Sequence, residues 1–154
     1  MGMVTKNYFT DKELYASNTA SKYNIDNTPT ESAWNNLYAL RDNILNPARE
    51  IYGSCIYVNC AYRCPELNSK VGGTSNSQHL YGQAADITTS SVEGNKELFK
   101  ILVEMNNYDQ LIWEGDGTWI HVSYSSTPRL SLLAQKGSRY VNIRSNWSNY
   151  IGIA

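Results

Sequence analysis

The chain has 154 residues, of which 42% are hydrophobic and 18% charged, and its net charge is -1. That length suits one domain with its own core, and the composition excludes a disordered tail or a solvated coiled coil. A charge so near zero gives no electrostatic footprint for nucleic acid or for an anionic membrane surface.

In chain order, Thr10 and Glu13 have capping-box spacing, which predicts a short helix from Asp11. A stronger start follows at Thr28-Pro29-Thr30-Glu31, read with Thr28 as cap, Pro29 first in the helix and Glu31 third. Behind it Trp34, Leu37, Tyr38, Arg41, Ile44, Leu45 and Ala48 recur at helical spacing, so an amphipathic helix should run to about Ile51. Pro47 should kink or split it, and Gly53 should end it. Ile56 to Asn59 is a strand candidate, Pro65 to Lys70 one or two helical turns, and Gly72-Gly73 a loop. Ala84 to Thr88 reads as a buried strand and Val92 to Met105 as a helix. Leu111 to Trp113 and Trp119 to Tyr124 read as strands joined by the Gly115-Asp116-Gly117 turn, with a last strand near Tyr140 to Ile143. With no repeat or low-complexity linker, the expected fold is one α+β domain over 1–154, its helices packed on a small, mainly antiparallel sheet.

No apolar run approaches the about 20 residues a membrane span needs. Met1 to Asn7 has no apolar core of secretion-signal length, so synthesis in a cytoplasm is expected. Cys55, Cys60 and Cys64 are an odd number, which argues against a disulfide framework and fits a reducing compartment. Their spacing does not repeat the gap of structural zinc knuckles, so each is read as a small buried hydrophobe.

The chemistry concentrates in Ser77-Gln78-His79-Leu80-Tyr81-Gly82-Gln83-Ala84-Ala85-Asp86. A histidine lies in a loop, and an aspartate follows inside an apolar strand, where Ala84, Ala85 and Ile87 should bury it. A buried carboxylate is costly unless a cation or metal answers it. Gly82 permits the tight turn that lets loop and strand donors converge. His121 is the third candidate ligand and the only other histidine. Two imidazoles and a carboxylate, with one position left for water, match a catalytic rather than a structural zinc. Glu114, across the short turn from His121, is the candidate general base. The opposing reading is that both histidines are ordinary hydrogen-bonded core residues.

Three segments carry a resemblance. Val58 to Asn68, Ser77 to Asp86 and Trp119 to Ser123 resemble, in order and spacing, the zinc D-alanyl-D-alanine carboxypeptidase family, which includes phage endolysin peptidases. His79 to Thr89 also resembles the zinc site of hedgehog signalling domains, which share that fold. The resemblance covers about Thr28 to Tyr124. It implies one zinc per chain on His79, Asp86 and His121, Arg63 as a substrate-binding cation, and Ser77 in support. Thr118, three before the last histidine, cannot serve as the acidic residue some branches place there. Glu114 fits the placement of other branches, with Asp116 as its competitor. A guanidinium also suits a peptide carboxylate in its own right, since it binds one bidentately; its alternative is a surface pair with Glu66. The implied activity is hydrolysis of peptidoglycan stem peptides or cross-links by a monomeric, endolysin-like peptidase that reaches the wall after release. A zinc-containing binding module and a metal-free structural protein of a phage particle are the rival classes.

Overall fold

The computed structural model describes residues 6–153. Residues 1–5, where a secretion signal would begin, lie outside it. The capping box closes: Glu13 N donates to Thr10 Oγ1, and Thr10 N to Glu13 Oε1, each at 3.3 Å. It starts only a 3-10 turn, Lys12–Leu14. A short helix absent from the sequence reading follows, α1 (Asn18–Lys22).

Helix α2 (Glu31–Leu40) begins two residues later than the Thr28 cap implies. Thr28 is occupied elsewhere, its N and Oγ1 both donating to Asp26 Oδ1 at 3.0 and 2.7 Å. Thr30 caps instead, accepting from Ala33 N at 3.2 Å, and Pro29 lies ahead of the helix. The helix then widens into a π turn, Arg41–Leu45, before α3 (Asn46–Tyr52). Pro47 is the cause: it has no N–H to offer the Asn43 carbonyl. Asn107 Nδ2 donates to that carbonyl instead, at 3.0 Å. Gly53, at φ 80°, ends α3.

The strands are β1 (Tyr57–Cys60), β2 (Ala84–Thr88), β3 (Gln110–Glu114), β4 (Trp119–Ser123), β5 (Ser131–Lys136) and β6 (Arg139–Asn142). They form one sheet in the order β1-β2-β4-β3-β5-β6, and only the β3–β5 pairing is parallel. The helices α4 (Pro65–Lys70) and α5 (Val92–Met105) fall where the sequence puts them, and α6 (Trp147–Ile151) follows the sheet. The fold is α+β with a mixed sheet. Strand β5 went unread because Leu132-Leu133-Ala134 suits a buried helix turn as well as a strand.

Side chains alternate across a strand, and here the alternation divides structure from chemistry. Ala85 and Ile87, Ile120 and Val122, Leu111 and Trp113, Leu132 and Ala134 face a core shared with Leu37, Leu40, Leu98, Phe99 and Leu102. Each large side chain so buried contributes about 1.5–3 kcal/mol. The opposite face carries Asp86, His121, Ile112, Glu114, Leu133, Gln135 and Tyr140 into an open cleft of about 610 Å³. Asp86 therefore does not sit among Ala85 and Ile87, which are one residue out of phase on the far face. Its side chain keeps 21% of its surface exposed, toward the cleft.

Residues ahead of Thr28 also belong to this arrangement. Buried Asn27 donates to the carbonyls of Tyr15 and Tyr62 at 2.7 and 3.1 Å and accepts from Cys64 N at 2.8 Å. With Tyr62 N donating to Leu14 O at 3.0 Å, it ties the amino-terminal segment to the loop that carries Arg63.

Candidate metal centre

The strand registers place one donor beside the next. Cys60 pairs with Asp86 across β1 and β2, and Asp86 pairs with His121 across β2 and β4. His79 reaches the same point from the 3-10 turn Gln78–Tyr81, whose start is capped by Ser77 and whose end is Gly82 at φ 74°. A Cβ on Gly82 would lie 2.5 Å from the Ala33 carbonyl oxygen, so the turn is closed to any larger residue.

Asp86 Oδ1 lies 3.0 Å from His121 Nδ1 and 3.4 Å from His79 Nε2. The two rings meet edge to face, 5.2 Å apart. His79 Nδ1 sits 2.6 Å from the Ala61 carbonyl. That carbonyl can only accept, so it fixes an N–H at Nδ1 and turns Nε2 toward Asp86, where it donates as an N–H in the metal-free ring and would offer its lone pair to a bound metal. Burial alone would push His79 down, but the Asp86 carboxylate beside it, with Cys60, holds it up at about 10. Burial would likewise raise Asp86, yet hydrogen bonds from His121 and His79 hold it well below the usual carboxylate range. A carboxylate between two imidazoles calls for a cation, and a proton or a divalent metal meets that demand. Two nitrogens and an oxygen suit zinc.

Glu114 ends β3, and its carboxylate comes within 4.8 Å of the Asp86 and His121 donor atoms. Burial raises its pKa, opposed by a hydrogen bond from Tyr140 and by the charge of His121. Asp116 is exposed at the turn, in the left-handed region at φ 54°, and does not line the cleft.

Arg63 lines the cleft, its Nη2 donating to Ser77 Oγ at 3.3 Å. Its Nε is buried without a partner, and its backbone N donates to His79 O at 3.0 Å. The guanidinium thus turns toward Ser77 and the site, away from a surface pairing with Glu66. Ser77 also accepts from His79 N at 3.2 Å, which links the arginine to the histidine turn.

The cysteines depart from the sequence reading, because none is buried. Cys55 is exposed, Cys60 and Cys64 are half-buried, and all three are free. Cys64 caps α4, accepting from Leu67 N at 3.4 Å. Cys60 Sγ lies 3.9 Å from His79 Nδ1 and forms a second donor cluster with His79 and Asp86. Spacing in the sequence could not reveal that, because the strand register makes the contact.

Tyr140 was missed too. Its hydroxyl donates to Glu114 Oε1 at 2.9 Å, and nothing in sequence links positions so far apart. Arg129 is a further unread cleft residue, held by the buried Asp109 through Nη2 to Oδ2 at 2.9 Å.

No helix among the described residues is long and apolar enough to cross a membrane. No curated protein matches the sequence. The Peptidase M15 family model matches residues 7–123, a segment that begins ahead of the Thr28 to Tyr124 resemblance and includes the Asn27 tie. Family and geometry agree in kind, and the chain belongs to the Peptidase M15 family of zinc peptidases.

Proposed function

We propose that the protein hydrolyses peptide bonds in bacterial peptidoglycan, as a D-alanyl-D-alanine carboxypeptidase or a cross-link endopeptidase, with one zinc per chain on His79, Asp86 and His121. The observation that carries this reading is that Asp86 Oδ1 stands 3.4 Å from His79 Nε2 and 3.0 Å from His121 Nδ1, with the Glu114 carboxylate within 4.8 Å of the Asp86 and His121 donors, in the cleft that Arg63 also lines. A zinc ion held there supplies a Lewis acid for the scissile carbonyl and lowers the pKa of a water. Glu114 accepts a proton from the attacking water as its oxygen bonds to the carbonyl carbon. It then returns that proton to the amine nitrogen as the carbon–nitrogen bond breaks. Arg63 binds a substrate carboxylate bidentately, steadied by Ser77. Asp86 is fixed by strand pairing and His79 by the Ala61 carbonyl, so the donors are held in place before substrate arrives.

The cleft fits a polar peptide, since Asn76, Gln78, Gln110 and Gln135 line it along with the two arginines. We read the protein as a monomeric, phage-lysin-type peptidase acting on the wall after release from the cytoplasm. Mass spectrometry of purified muropeptides, before and after incubation with zinc-loaded protein, tests the activity. Loss of a terminal alanine marks a carboxypeptidase, and conversion of cross-linked dimers to monomers marks an endopeptidase. Muropeptides left intact would favour a zinc-containing binding module of the same fold.

A further inference from the structure

A base near a metal is useful only if one oxygen is aimed at the proton it must take, and Glu114 is gripped from an unexpected side. Gln135 of β5 and Tyr140 of β6 are cross-strand partners. Gln135 Oε1 accepts from Gly115 N at 2.9 Å, fastening the backbone just after Glu114. Tyr140 Oη donates to Glu114 Oε1 at 2.9 Å, fastening the side chain. One hairpin pair therefore holds both the main chain and the carboxylate of one acid. Both side chains line the cleft. Burial and the Glu114 carboxylate push the Tyr140 phenol up to about 12, so it remains a proton donor to that carboxylate at neutral pH.

We propose that Tyr140, seconded by Gln135, is the positioning residue for the general base. It occupies Oε1 so that Oε2 is the atom that takes the proton from water and hands it to the leaving amine. This deepens the peptidase reading and rests on Glu114 being its base. A structural clamp between β6 and β3 would use the same bond, so the test must separate aim from stability.

The experiment compares kcat and KM on a muropeptide substrate for wild type, Tyr140→Phe, Glu114→Gln and the double variant, with zinc content and Tm measured on each. Tyr140→Phe removes one hydroxyl from a half-exposed ring, so zinc and Tm should hold. A misaimed base should cost about 10- to 100-fold in kcat with KM unchanged. In the double variant, Tyr140→Phe should add no further loss to that of Glu114→Gln. Gln135→Met, which leaves the Tyr140 hydroxyl in place and removes the acceptor for Gly115 N, should lower kcat in the same sense by a smaller factor. Unchanged kcat in Tyr140→Phe, a loss that multiplies in the double variant, or a rise confined to KM would each overturn the proposal. A fall in Tm or zinc content that accounts for the loss would assign Tyr140 a structural role and overturn it as well. If Glu114→Gln keeps full turnover, or wild type has none, it is the base or the peptidase reading that fails, and this inference falls with it.

Discussion

One wall of the cleft comes from β2, β4 and the Gln78–Tyr81 turn, and its donors His79, Asp86 and His121 all fall within residues 7–123. The other side of the cleft comes from β5 and β6, farther along the same sheet and beyond that match, and it contributes Leu133, Gln135 and Tyr140. The first wall is written in local motifs, because a turn and a strand joined by Gly82 must deliver two donors to one point. The second acts through register alone: Gln135 reaches Gly115 N and Tyr140 reaches Glu114 because β5 pairs with β3 and β6 pairs with β5. On the proposed reading the first wall supplies the metal donors, and the second fixes how the chemistry beside them is aimed. Changes in the first should remove metal or chemistry outright, whereas changes in the second should grade the rate.

The largest effect should come from His79→Ala. Elemental analysis should find about one zinc per wild-type chain and almost none in the variant. Its Tm should fall, because a metal bridging a turn and two strands stabilises only the folded state. Full stoichiometry in the variant would move the site elsewhere. The metal-free wild type offers a second reading of the same residue. His79 stands at about 10 when folded, above its ordinary 6.5, so its contribution is fully present below about 6.5 and lost as pH rises through about 10. Denaturant midpoints of the metal-free protein should therefore decline over that window. In His79→Ala the decline should flatten.

Next comes Glu114→Gln, which should keep zinc and KM and lose about 100- to 10,000-fold in turnover. Burial raises the Glu114 pKa, and a zinc ion opposite would lower it, so the two influences oppose each other at the base. Asp116→Asn is the control, expected to be nearly silent from its exposed turn. Activity lost in Asp116→Asn but kept in Glu114→Gln would reverse the assignment.

Arg63→Lys should act more mildly. A lysine keeps the charge and loses the bidentate fork, so kcat/KM on peptides with a free carboxyl terminus should drop about 10-fold while zinc stays bound. Amidated peptides should show little difference between the two proteins. Equal kinetics on free and amidated peptides, in both proteins, would remove Arg63 from carboxylate binding.

Much of this was legible in sequence where local rules act alone. The spans of β2, α4 and α5 followed from periodicity and flanking turns, and Pro47 and Gly53 marked the break and end of the long helix. Local rules failed where two residues competed for one role: Thr28 had the cap sequence, but Asp26 took its hydroxyl and Thr30 capped α2. They failed again where contacts depend on pairing between distant strands. Tyr140 on Glu114 and Cys60 beside Asp86 are products of register, and a single sequence carries no signal for either. The exposure of Asp86 was recoverable, because period-two alternation already sets Ala85 and Ile87 on the other face.

Cys60→Ser should have the smallest effect, and it distinguishes the two donor clusters that share Asp86. In one, Cys60, His79 and Asp86 would hold the metal; in the other, Asp86 and His121 do so with Glu114 nearby. The Cys60 thiol approaches His79 at Nδ1, 3.9 Å away, and that nitrogen is already held by the Ala61 carbonyl at 2.6 Å. The carbonyl is the shorter partner and survives the substitution, so the ring should keep Nε2 toward Asp86. Zinc stoichiometry should stay at about one, and affinity should fall by less than the roughly 10- to 100-fold typical of losing an outer-shell partner. Cobalt in place of zinc gives a direct readout, because a thiolate ligand adds a sulfur-to-metal charge-transfer band and imidazole and carboxylate do not. Wild type should lack that band. A band in wild type that disappears in Cys60→Ser, together with lost zinc, would make Cys60 a ligand and shift the centre toward β1. His121 would then be left to bind substrate rather than metal.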